Sequence, residues 1–285
     1  MDILLERFGN PIDATVGYAR GDILKSSVEE SRRMEWGRRL VACRVKRDGE
    51  SGIFNLTGLI RAYPLEKEDL PALCSQLMFY AKFDGKVDDL ALQFMGADTS
   101  RHAAFVVNRV TAGILATMLG LVSPGETVLS VIPGGRSHPS IGCAVQTAGG
   151  QVVEVAGLRE AEDVLSGKGG ICLVCVTPIT PAKHHMSLPD LRATLSLAHR
   201  ASVPVFVDDA HAAVRIAFFE EPPIFQVGDP DLAVFSCDKH IDGPRAGVLV
   251  GRREVMDRGK GSRVRTGPRG SDGALCGGVP GAPEI

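Results

Sequence analysis

The sequence predicts an α/β fold: a three-layer α/β/α domain built on a mostly parallel central sheet. Two observations carry that prediction. Between about residues 100 and 250, short unbroken apolar runs alternate with stretches of helical periodicity, as in a sheet covered on both faces. Several of those runs end in chemistry-bearing residues: Asp208, Asp209 and His211 follow the run 204–207, and Ser236, Asp238 and Lys239 follow 232–235. Open parallel sheets bind ligands beyond the carboxyl ends of their strands, so this placement marks one edge as a site.

The elements follow in order. Residues 1–50 read mostly as a helical segment; the stretch 26–39 is proline-free, and its Arg32, Arg33, Arg38 and Arg39 fit a solvated helix face. Residues 51–258 are expected to form the large domain. It opens on Phe54-Asn55-Leu56-Thr57-Gly58, where Asn55-Leu56-Thr57 has the form of a glycosylation sequon with no secretory signal to give it meaning. Residues 70–81 and 88–95 read as helical pieces, and 104–121 runs from a buried strand into a helix. Strands are expected at 127–131, 152–155, 171–176, 204–207, 232–235 and 247–250, with helices at 141–148 and 188–200. Cys172 and Cys175 lie in one strand, should point to opposite faces, and read as core cysteines. No second Cys or His pair stands at zinc spacing, so no metal site is expected. His184 and His185 close a long polar loop that reads as substrate-facing. From residue 259 to 285, glycine, proline and arginine replace hydrophobic periodicity, the composition of a disordered tail. The abrupt change suggests a truncated small C-terminal domain, with a frameshift as one explanation.

Composition bounds the function. At 285 residues the chain can bury a substantial core. A net charge of -2 provides no global basic field for nucleic acid. No apolar run is long enough to cross a membrane. The N-terminus MDILLERFGNPIDAT lacks the basic-then-apolar order of a secretory signal. Seven cysteines, an odd count set mostly in apolar contexts, fit a reduced, cytoplasmic protein.

The chemistry centres on Lys239, which follows Ser-Cys-Asp and precedes a Gly-Pro-Arg-Ala-Gly turn. A desolvated lysine amine is a nucleophile suited to a Schiff base with an aldehyde. Pyridoxal 5'-phosphate (PLP) uses that chemistry and needs an acidic partner for its ring nitrogen. Asp208, on another strand end, supplies the carboxylate, and His211 could orient a ring substituent. Thr111, Ala112 and Gly113 read either as a phosphate-binding helix start or as an ordinary one. Ser236 could add a bond to the phosphate, and His138 could stack over the ring. Arg245 could bind phosphate or a substrate carboxylate, or simply neighbour the turn.

These residues carry a resemblance. Val207-Asp208-Asp209-Ala210-His211, with Ser236-Cys237-Asp238-Lys239 and the turn Gly243-Pro244-Arg245-Ala246-Gly247, resembles the fold type I PLP enzymes of the aspartate aminotransferase superfamily. The match is greatest to the selenocysteine synthase (seryl-tRNA selenium transferase) group and its uncharacterised archaeal relatives. Phe54-Asn55-Leu56-Thr57-Gly58 is similar to that group's entry segment, and Asn108-Arg109-Val110-Thr111-Ala112-Gly113 to its phosphate-binding turn. The resemblance implies a Schiff base on Lys239, Asp208 at the pyridine nitrogen, His211 near the ring oxygen and His138 stacked. It also implies a homodimer or larger homo-oligomer. An amino acid or aminoacyl substrate follows, with Arg109 and Arg245 as candidate substrate contacts, and beta-replacement or elimination as the reaction. A carbon–sulfur lyase or an aminotransferase of the same fold is the alternative. A non-catalytic PLP-binding or assembly protein is the rival from another class. A tRNA partner has no convincing basic region at the N-terminus to support it.

Overall fold

The computed structural model describes residues 12–13, 18–19, 27–54, 66–83, 86–134, 136–167, 170–180, 182, 184–241 and 243–262. The entry segment around Asn55 and the tail beyond 262 lie outside the described residues. The chain divides into two compact units, Met1–Leu59 and Ile60–Ile285. In the first, strands β1 (Ile12–Asp13) and β2 (Tyr18–Ala19) pair antiparallel, and helix α1 spans Ser27–Asp48. Helix α1 exceeds the expected 26–39 stretch because no proline interrupts it, and basic Lys46 and Arg47 in its last turn suit the helix dipole.

The second unit opens with three short helices, α2 (Leu70–Cys74), α3 (Gln76–Phe83) and α4 (Lys86–Met95). An alternating series follows. Strand β3 is His102–Val107, α5 Val110–Leu121, β4 Thr127–Ile132, α6 Pro139–Thr147, β5 Gln151–Ala156, α7 Leu158–Ser166 and β6 Ile171–Val176. After these come α8 (Leu188–Arg200), β7 (Val205–Asp208), α9 (Ala212–Ala217), α10 (Ile224–Gly228), β8 (Leu232–Ser236), β9 (Gly247–Arg252) and α11 (Arg253–Ser262). Among the described residues the main sheet has the order β3-β9-β8-β7-β6-β4-β5. Strands β4 to β8 pair parallel, while β9 runs antiparallel to both β3 and β8. The expected mostly parallel α/β/α architecture is therefore present.

Both faces of the sheet are covered, which explains the unbroken apolar strands. One core packs Leu92 and Met95 of α4, Leu191 and Leu195 of α8 and Ile224 of α10 against Val131, Val174, Val207 and Ala233. The other packs Ile114 and Met118 of α5 and Ile141 and Val145 of α6 against Val128, Leu173, Phe206 and Val234. Strands β7 and β8 are buried along their whole length.

One expectation is overturned. Cys175 lies in the second core and the partly buried Cys172 packs against that same core, instead of facing the opposite way. The β4–β6 register shifts between Thr127 and Val128, so strand alternation slips by one residue beside Cys172. Burial pushes the Cys172 thiol up to about 11 and the Cys175 thiol well above its ordinary value, as for inert core cysteines.

The largest buried polar feature is Arg215 of α9, completely buried. Its guanidinium donates to Asp209 at 2.9 Å, to Glu221 at 3.2 Å and to the Pro222 carbonyl at 2.8 Å. Burial works against its charge, and the two carboxylates outweigh that and raise its pKa. Replacing Arg215 with Met should strand Asp209 and Glu221 in the interior, at a cost of about 3–5 kcal/mol. A urea melt of the variant checks this, and an unchanged midpoint would contradict it.

Candidate functional site

The site lies where β4, β6, β7 and β8 end. Asp208 is the last residue of β7, 5% exposed, in a strand with neighbours on both sides. Burial raises its carboxyl pKa to about 6; the charge of Lys239 and a bond from the Ala210 amide hold it back from rising further. Its Oδ1 is buried and has no hydrogen-bond partner among the described residues. An ionised carboxylate so placed is an acceptor of high field directed at the strand-end region, and costly unless something donates to it.

Asp209 follows immediately and behaves differently. Its carboxylate is taken by Arg215, and His211 is the N-cap residue of α9. The two adjacent acids are thus separated by partner. Asp209 is neutralised inside the protein, and Asp208 keeps an oxygen for the site.

Lys239 sits in the turn between β8 and β9, half-buried, within electrostatic reach of Asp208. The next residue, His240, has φ +62°, in the left-handed region that L-residues adopt uncommonly. The rings of His240 and His211 lie 5.7 Å apart, so the lysine turn and the start of α9 meet. The lysine, Asp208 and His211 expected from sequence are therefore brought to one place.

The remaining candidates are placed as follows. Ser236 Oγ donates to Asp238 at 2.7 Å, and Asp238 is completely buried. Arg109, the N-cap of α5, donates from its guanidinium to the other Asp238 oxygen at 3.1 Å. Thr111 is exposed at the first turn of α5, while Ala112 and Gly113 are buried. Gly113 turns toward the sheet: a Cβ there would stand 2.9 Å from the Val234 side chain. Its small size lets α5 approach β8, a different reason from the close phosphate approach suggested by sequence. His138 is exposed in the loop after β4 and caps α6, its Nδ1 accepting from the Ser140 amide at 3.2 Å. Arg245 is exposed in the Gly-Pro-Arg-Ala-Gly turn.

One feature was not singled out by sequence, and one is placed differently from its reading. Thr177 follows β6, and the register Val176↔Val207 sets it beside Asp208; its Oγ1 is also buried without a hydrogen-bond partner. A polar residue directly after a buried strand was the available signal. His185 is stacked on Phe219 with ring centroids 3.8 Å apart and lies 2.9 Å from Glu221. It pins the loop after β6 to the end of α9, where a substrate-facing position is expected from sequence, because an aromatic face and a carboxylate are offered together. His184 is the exposed member of the pair, near Gly134 of the loop after β4.

Comparisons bear on this geometry. No family model matches the chain. A UPF0425 pyridoxal phosphate-dependent protein of Methanothermobacter thermautotrophicus is 35% identical over 247 residues, 86% of this chain and 62% of that protein. A counterpart from Methanosphaera stadtmanae is 29% identical, over 81% of this chain and 58% of its own length. An L-seryl-tRNA(Sec) selenium transferase of Geobacter metallireducens is 28% identical, over 55% of this chain and 37% of that enzyme. The chain thus spans about three fifths of the length of the UPF0425 relatives. Among solved structures, ureidoglycine-glyoxylate aminotransferase of Bacillus subtilis superposes with TM-score 0.55 at 14% identity, covering 73% of this chain and 55% of its own. The sphingosine-1-phosphate lyase Bpss2021 of Burkholderia pseudomallei does so with TM-score 0.53 at 15% identity, over 85% and 63%. By sequence this chain is similar to the UPF0425 pyridoxal phosphate-dependent proteins and, over a smaller share of its length, to the seryl-tRNA selenium transferases, and its sheet has the fold of the aminotransferase and lyase structures on which it superposes.

Proposed function

We propose that this chain is a PLP-dependent enzyme acting on an amino acid or aminoacyl substrate through Lys239, with beta-replacement or elimination as its reaction. The observation that carries the reading is the buried Asp208 oxygen without a donor, beside the charge of Lys239. A protonated pyridine nitrogen is the donor that fits it. When bound, PLP supplies an aldehyde that condenses with amines and a ring that accepts the electrons released at the substrate Cα.

The protein's own residues supply the rest. Lys239 holds the cofactor through its amine; once substrate displaces it, that amine takes the Cα proton as general base. Asp208, ionised, keeps the ring nitrogen protonated. Thr177 and His211 stand beside Asp208 as donors for the ring's oxygen substituent. The first turn of α5, with Thr111, offers amides and a hydroxyl to the phosphate. Ser236 supports that end through Asp238. His138 covers the ring from the loop after β4, and Arg245 receives the substrate carboxylate. A homodimer belongs to the same reading, and a tRNA gel shift tests whether the substrate is aminoacylated RNA.

Adding PLP to the purified protein should produce a visible absorption band that Lys239→Ala abolishes. Absence of the band in the unsubstituted chain would defeat every PLP reading. Substrate amino acids should change the band; a panel that leaves it unaltered would favour a non-catalytic binder.

The Asp208 carboxyl makes a second prediction, for cofactor-free protein. Its folded pKa of about 6 exceeds the ordinary 3.8, so the folded chain holds the proton more tightly than the unfolded chain. That contribution is fully present below pH 3.8 and is lost as pH rises through 6. Asp208→Asn removes the penalty. Above pH 6 the variant should be more stable than the parent by roughly 2–3 kcal/mol, with the difference closing toward pH 4. Urea midpoints across pH measure it, and a pH-independent difference would contradict the assignment. With PLP present the order should reverse, because the variant cannot hold a protonated ring nitrogen.

A further inference from the structure

We infer that Arg109 and Asp238 form a charged clasp that fixes the lysine turn against the amino end of α5, so that the two ends of the cofactor site are positioned by one interaction. The inference rests on the PLP reading for its functional meaning and on the following geometry for its existence.

Asp238 is the residue before Lys239, and it is completely buried. A carboxylate in that position needs donors to both oxygens. Ser236, two residues back, supplies one at 2.7 Å. The other comes from a residue 129 positions away, Arg109, at 3.1 Å. Arg109 is the N-cap of α5 with extended backbone (φ -157°, ψ 157°), so its main chain starts the helix while its side chain crosses to the turn. The Arg109 carbonyl accepts from the amides of Ala112 and Gly113, which ties its backbone to the first turn of the helix.

A second contact shows how closely the parts approach. Gly247, the first residue of β9, faces the same helix start: a Cβ there would stand 2.8 Å from the Val110 nitrogen and 3.1 Å from the Arg109 carbonyl carbon. The end of β8, the start of β9 and the amino end of α5 thus converge on one ion pair, whose carboxylate is buried and whose guanidinium is partly exposed. The turn that carries Lys239 is anchored at Cys237, whose amide N–H donates to the Ala246 carbonyl, and at Asp238 by the clasp. Arg109 is then a positioning residue: its charge is spent on Asp238, and it acts on the cofactor through the lysine turn and the helix start.

The test uses cofactor-free and PLP-loaded full chain, with Asp238→Asn, Arg109→Gln, Arg109→Lys and the double variant Arg109→Gln/Asp238→Asn. The pH profile of Lys239 modification by an amine-reactive reagent, followed by peptide mass spectrometry, reads the amine directly in cofactor-free protein. Asp208 from β7 interacts with that amine; the other titratable and charged groups where these elements meet are His240 and Asp238 in the lysine's own turn, His211, whose ring faces that of His240, and Arg109, which is bound to Asp238. Loss of the Asp238 charge should lower the midpoint by about one pH unit, and loss of the Arg109 charge should raise it by a similar amount. The double variant should return close to the parent, and Arg109→Lys should keep the parental profile. Both single neutral variants should bind PLP about tenfold more weakly, since 1.4 kcal/mol of lost positioning corresponds to that factor. Unmoved midpoints in the two single variants, with only lower melting temperatures, would reduce the pair to a structural role and overturn the clasp. So would moved midpoints with unweakened PLP binding. If the parent chain takes up no PLP at all, the proposed function fails, while the lysine profiles still decide whether Arg109 and Asp238 govern that amine.

Discussion

A carboxylate at the buried end of an interior strand is the constraint on which the rest of this structure depends. Asp208 occupies the end of β7, with β6 and β8 on either side and helices above and below. A charge there is costly, and its carboxyl is raised to about 6 as a result. The adjacent acid, Asp209, would double that cost through like-charge repulsion. Arg215 removes it by taking Asp209 and Glu221 into one buried network behind the site. The two acids therefore divide their work: one closes the interior and the other remains available to a ligand.

The second organising feature is the reversal at β9. Every other strand that surrounds the site runs in the same direction, so polar residues leave the sheet at one edge. The antiparallel return of β9 brings the chain back from that edge between β8 and β3. Its turn must then lie over the carboxyl ends of the strands, where Lys239 is presented to Asp208. The same return places the beginning of β9 against the beginning of α5, and with it Arg109 against Asp238. Anion-favouring amides, a lysine amine and an interior carboxylate are thus set at three points around one region by the topology alone.

The strands were the most legible part of the fold. Ile171–Val176 was bounded correctly, and β4, β5, β7, β8 and β9 to within two residues at either end, because burial on both faces leaves continuous apolar runs that polar turns interrupt sharply. Helix α8 was also clear, with Ser187 accepting from the Asp190 amide as its cap. Helix α7 was not singled out. Its LREAEDVLS sequence does carry Leu158, Ala161, Val164 and Leu165 at helical spacing, but the segment is short and charged, with Ala161 buried and Val164 and Leu165 partly buried against the first core. The slip at Cys172 was invisible because a bulge depends on the partner strand, here Thr127 and Val128 of β4. His185 was misread for a similar reason: Phe219 and Glu221, its partners, are more than 30 residues away.

From the sequence alone followed the α/β class, the strand ends that carry Asp208, His211 and Lys239, and the chemistry those groups suggest. Local patterns suffice for this, since burial periodicity and strand-end position are properties of neighbouring residues. Only the tertiary structure decided what each charge does. Asp209 is paired because Arg215 is buried beside it, Asp208 keeps an unmatched oxygen because none of the described residues donates to it, and Arg109 meets Asp238 because β9 returns past α5. Charges act through distance, and distances between residues remote in sequence are set by the fold.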